Sequence, residues 1–106
     1  MDESNEPILI FACDFDAQTA FDIEQKGWFE QTVIRLPNGI EVPVSFWDPA
    51  RLSQDLETDV RNGRFCLAEP GLIVVPKVNR AYMVEAVKQL FRDKYFDRLL
   101  SLVAVP

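Results

Sequence analysis

Pro37-Asn38-Gly39 stands between two runs rich in β-branched and aromatic residues, 29–36 and 40–47. No other stretch restricts the fold as much. Proline sets φ at the first loop position, asparagine tolerates the bridge region, and glycine takes the left-handed conformation that closes a three-residue hairpin. This loop predicts Leu36 opposite Ile40 and, counting back, Ile34 opposite Val42, Thr32 opposite Val44 and Glu30 opposite Phe46. Ile34, Leu36, Ile40, Val42, Val44 and Phe46 then form a core face. The other face pairs Arg35 with Glu41 as a cross-strand ion pair and sets Gln31 opposite Ser45. A two-residue Asn-Gly loop would instead put Arg35 opposite Val42 and Gln31 opposite Phe46, mixing charge with core. Turn chemistry and side-chain pattern agree on the longer loop.

Asp48-Pro49 ends the second strand and opens a helix, with Asp48 as N-cap and Pro49 at the first helical position. Leu52, Leu56 and Val60 recur at spacing four as a narrow apolar stripe, and Asn62-Gly63 closes the helix. Gln54, Asp55, Glu57, Asp59 and Arg61 fill the remaining positions, so one side is expected to face water. Residues 65–68 read as a short strand, Pro70-Gly71 as a bend, and 72–75 as a strand covered on both faces. Asn79 caps a final helix whose inward face is Val84, Val87, Leu90, Phe91 and Tyr95.

The order strand, strand, helix, strand, helix predicts an α+β fold. We expect a small antiparallel sheet, the hairpin plus one or two further strands, packed against two helices. The 106 residues suit a single domain over 1–106, with a compact β-β-α-β-α unit at 28–98 and a disordered tail at 1–6. A chain of this length builds one core but neither a doubly wound nucleotide-binding fold nor a barrel. Two apolar extensions, 7–13 and 99–105, lie outside the unit and pack back on it or on another chain.

Eleven bases against seventeen acids leave a formal charge of −6, which makes nucleic acid an unsuitable partner. Seven of the acids (Asp2, Glu3, Glu6, Asp14, Asp16, Asp22, Glu24) fall before any base, so the rest of the chain is nearly neutral. Such a segment can meet a basic partner, fold over basic groups of its own body, or simply be solvated. Histidine is absent, which removes the commonest general base, the commonest metal ligand and every Ser-His or Cys-His nucleophile system. No stretch reaches the length of a membrane span, and Met1-Asp2-Glu3-Ser4 is the opposite of a signal peptide. Cys13 and Cys66 stand in no metal or redox spacing and read as buried free thiols of a cytoplasmic protein.

Ile8-Leu9-Ile10-Phe11-Ala12-Cys13-Asp14-Phe15-Asp16 resembles the nucleophile strand of the haloacid dehalogenase phosphatases. The resemblance implies a nucleophilic Asp14 and a proton-shuttling Asp16 beside Mg²⁺. It covers nine residues, and Thr19 falls one place late for that family's pattern. The alternative reading of the same residues is a helix start, with Asp16 as the N-cap ahead of Ala17. Lys88 with Arg92, and Lys94 with Arg98, make a small basic patch suited to an acidic segment, or a solvated helix face near a helix C-terminus. No Gly-rich phosphate loop, zinc spacing or nucleophile elbow is present.

The remaining feature is the second face of the hairpin, where Phe29 falls opposite Trp47 and Val33 opposite Pro43. Two aromatics on an otherwise polar face are the composition of a contact surface. Its cover is one of the chain's own extensions, another copy of the chain, or a different protein. The expectation is therefore a small non-catalytic interaction or accessory module with no cofactor, no nucleic acid and no membrane, its partner a protein or a second copy. The alternatives are a small metal-dependent enzyme using Asp14 and Asp16, and an acidic immunity- or inhibitor-type protein that binds a basic partner.

Overall fold

The computed structural model describes residues 6–69 and 71–103. The elements run β1 (Ile8–Phe11), α1 (Ala17–Lys26), β2 (Trp28–Arg35), β3 (Glu41–Trp47), α2 (Pro49–Arg61), β4 (Leu72–Val74), α3 (Arg80–Arg92) and α4 (Tyr95–Val103). The four strands form one sheet in the order β1-β2-β3-β4, and the fold is a mixed α+β arrangement. The hairpin closes as its loop chemistry dictates. Gly39 adopts φ 90°, the Leu36 amide donates to the Ile40 carbonyl at 2.9 Å, and Asn38 Oδ1 accepts from the Ile40 amide. Arg35 lies opposite Glu41, joined by Nε and Nη2 donors at 2.9 and 2.8 Å.

Several expectations are corrected. The sheet is mixed rather than antiparallel, because α2 carries the chain back and β4 joins β3 in parallel, Phe46 beside Ile73 and Trp47 beside Val74. The run at 7–13 is no extension. Its apolar residues pair antiparallel with β2, Leu9 with Ile34 and Phe11 with Thr32, so β1 is an edge strand of the sheet. The apolar run at the C-terminal end is helical through Val103. The single final helix splits at Lys94, whose φ of 61° is a left-handed turn that costs a non-glycine residue about 1 kcal/mol; the turn seats Phe96 in the core at 1% exposure. Finally, 65–68 form no strand. Phe65 and Cys66 are exposed, Cys13 is half-buried, and both thiols are free. Most of the expected tail at 1–6, and residues 104 and 105, lie outside the described residues.

The core occupies one face of the sheet. Ile34, Val42, Val44, Phe46 and Ile73 project from the strands to meet Ile23 of α1, Met83 and Val87 of α3 and Phe96 of α4. Thr32 enters this face because its hydroxyl donates to the Val44 carbonyl at 2.8 Å, which satisfies the buried oxygen. Gly71 permits the close approach of β4 to β3. At φ 71°, any Cβ there would meet the Pro43 carbonyl oxygen and lie 3.1 Å from Val44 Cα. The opposite face of the sheet carries Ile8, Val33, Pro43, Trp47 and Val74, and α2 lies beside its tryptophan end.

Candidate interaction surface

The expected surface residues do not share a face. Between Phe29 and Thr32 the ladder holds a β-bulge in which Glu30 and Gln31 together oppose Ser45. The bulge slides the register by one residue. Phe29 lies opposite Phe46 and Trp28 opposite Trp47, where the unbulged hairpin would set Phe29 against Trp47. Phe29 is consequently a core residue, 6% exposed. Phe11 and Phe15 of the N-terminal segment cover it, at centroid distances of 6.1 and 5.9 Å. The Arg80 guanidinium sits over Phe11 at 5.1 Å. Trp47 is also buried, on the other face, with its ring 5.8 Å from Trp28 and its indole N–H donating to Ser45 Oγ at 3.1 Å. Val33, half-buried, and exposed Pro43 remain opposite each other. The bulge leaves no sequence mark, since neither Glu30 nor Gln31 belongs to a residue type that demands it.

Of the Asp14–Asp16 pair, Asp16 stands at a helix start. Asp16 is the N-cap of α1, and its Oδ1 accepts from the Thr19 amide at 2.8 Å. That amide hydrogen bond, with a second from the Thr19 hydroxyl, lowers the Asp16 pKa below the ordinary 3.8. Asp14 is exposed. Among the described residues no group of three or more His, Cys, Asp or Glu side chains could hold a metal ion. A groove of about 270 Å³ beside α1 is lined by Cys13, Thr19, Asp22, Lys26 and Glu30 among others, an open mixture of charges with no nucleophile–base pair. The basic pair Lys88 and Arg92 lines a second groove together with Glu6, Pro7 and Phe91, while Lys88 Nζ lies 3.5 Å from Glu85.

The surface that stands out is on α2. Its N-cap Asp48 accepts from the Arg51 amide at 2.7 Å, and Pro49 occupies the first turn. Arg51 then fastens the helix. Its Nε donates to both Asp55 carboxylate oxygens, at 3.1 and 3.0 Å, Nη1 donates to the Lys26 carbonyl, and the guanidinium lies 5.5 Å over the Trp28 ring. Arg51, Asp55 and Asp59, one helical turn apart, are accordingly the half-buried side, with Leu52 at their border. The apolar stripe runs outward from there. Leu56 is 40% and Val60 50% exposed, and no α2 residue is buried.

The helix ends in a Schellman turn: Gly63 at φ 90°, its amide bonded to the Val60 carbonyl and the Arg64 amide to that of Asp59. Phe65 follows at 91% exposure. Sequence reasoning found the stripe but not its direction, because an amphipathic helix ordinarily turns its apolar side inward. Among the described residues no helix is long and apolar enough to cross a membrane. No protein-family model, curated protein or solved structure matches the chain.

Proposed function

We propose that the protein is a small non-catalytic interaction module whose contact surface is the outward strip of α2, Leu52, Leu56 and Val60, continued by Phe65. The observation that carries this reading is the direction of that strip. Arg51 holds the polar side of α2 against the sheet and leaves Leu56, Val60 and Phe65 in water, with Leu52 half-buried at the strip's edge. Exposed aliphatic and aromatic side chains gathered in this way are the usual material of a protein contact. The partner is a protein surface, since the strip offers no anion-binding loop and no cationic run for phosphate.

A photo-activated benzophenone side chain placed at position 65 of the full chain tests this in native lysate, with Asn38 at the hairpin tip as the control position. Discrete adducts at 65 that are absent at 38, and that disappear with Val60→Asp, are expected. Adducts at 65 no stronger than those at 38 would overturn the reading.

A further inference from the structure

The outward strip of α2 is complementary to itself, and we infer that a second copy of this chain docks on it, with the two α2 helices antiparallel across a two-fold axis. The inference rests on the interaction-surface reading above and names its partner. A two-fold contact brings the same flank of each helix together and runs the two chains in opposite directions. Residues at equal distances on either side of the axis then lie level with each other. The midpoints of 56 and 60, of 52 and 65, and of 57 and 61 fall at 58, 58.5 and 59, within one residue of each other.

One axis at that level therefore sets Leu56 against Val60 of the partner subunit and Glu57 beside Arg61 of the partner subunit, each twice. Phe65, just past the Schellman turn, is placed to reach Leu52 of the partner subunit. Glu57 and Arg61 each follow a stripe residue by one position, so both lie on the same flank, the one turned away from the sheet. There, among the described residues, Arg61 reaches the Thr58 hydroxyl alone, at 3.4 Å. A strip flanked by one acid and one base, at the separation that its own reversed copy answers, needs no complementary charge from a different protein.

The contact is small. Thirteen residues give a helix about 20 Å long, and two such helices with Phe65 bury less than the roughly 1,200 Å² at which standard stable interfaces begin. The dimer is consequently a weak one, formed at micromolar or higher concentration.

Sedimentation velocity of the full chain from low micromolar to near millimolar concentration tests the inference. The expected result is a shift from monomer mass towards twice that mass. Leu56→Asp should weaken association by about tenfold or more. Glu57→Arg and Arg61→Glu should each weaken it by about threefold, while the double variant returns towards the native affinity. None of these side chains is buried, and unchanged circular dichroism would show that each variant is folded. Monomer mass at every concentration, association indifferent to Leu56→Asp, or a double charge variant weaker than either single one would each overturn the second-copy assignment. None of those results touches the cross-linking test at position 65, which detects any protein on the same surface, whether this chain or another.

Discussion

Asp16, Asp48 and Asn79 each stand in extended backbone just ahead of a helix, and each accepts a hydrogen bond from the amide three residues on. All three were legible in the sequence, because a short polar side chain before a helical run satisfies an amide that the helix leaves unpaired. Asp16 also gives a pH dependence of known sign. Its carboxyl is more acidic in the folded chain than the ordinary 3.8. The stabilisation is therefore present above that value and is lost as pH falls through the lowered pKa. Asp16→Ala should melt at a lower temperature than the native chain at neutral pH, and the gap should narrow below about pH 4 and close in stronger acid. Asp16→Asn keeps an acceptor for the Thr19 amide without the titration, so its deficit should be smaller at neutral pH and should shrink by the same amount over the acid range. Thermal melts across the acid range check both. Arg51 was not legible in this way. Its role depends on the Lys26 carbonyl and the Trp28 ring, neither of which its local sequence announces.

Among the elements, the β2–β3 hairpin was readable from its loop down to Thr32 and Val44, where side-chain chemistry and register reinforce each other. Beyond that point the bulge at Glu30 and Gln31 exchanges Phe29 for Trp28 opposite Trp47, and the faces of the aromatic end invert. A one-residue slip is invisible where both neighbours are aromatic, since either can fill the core. The same limit applies to α2, whose period was plain and whose direction was decided by one arginine. Its peripheral position has a measurable consequence. Amides of α2 should exchange with deuterium much faster than those of β2 and β3, because the helix contributes no buried residue. Leu56→Ala should cost less than about 0.5 kcal/mol of unfolding free energy. Phe46→Ala, at a fully buried position of the sheet, should cost about 3–5 kcal/mol. Denaturant titration of the two variants separates a helix that holds the core from one that does not.

At the scale of the whole molecule, the segment from Pro7 to Lys26 is part of the fold rather than an attachment to it. Leu9 and Phe11 pack against the core, and β1 occupies the hydrogen-bonding edge of β2. Deletion through Cys13 would uncover Phe29 and leave a long β2 edge unpaired, an invitation to strand-to-strand association. Such a truncation should aggregate or unfold cooperatively at a much lower denaturant concentration, as light scattering and equilibrium unfolding would show. Glu6, one of the N-terminal acids, lines a groove together with Lys88 and Arg92.

The chain's two tryptophans sit in a single contact, with ring centroids 5.8 Å apart and the Arg51 guanidinium over one of them. Excitation absorbed by either indole is thus shared within one pair, and the intrinsic emission of the protein has a single address: the seam where α2 leaves β3. Optical signals from this protein will report the seating of that helix and stay nearly silent about the hairpin loop and the α3–α4 turn. A loosened α2 would dim or shift the emission while the sheet remained intact. Fluorescence and backbone circular dichroism would then follow two different events in the same molecule.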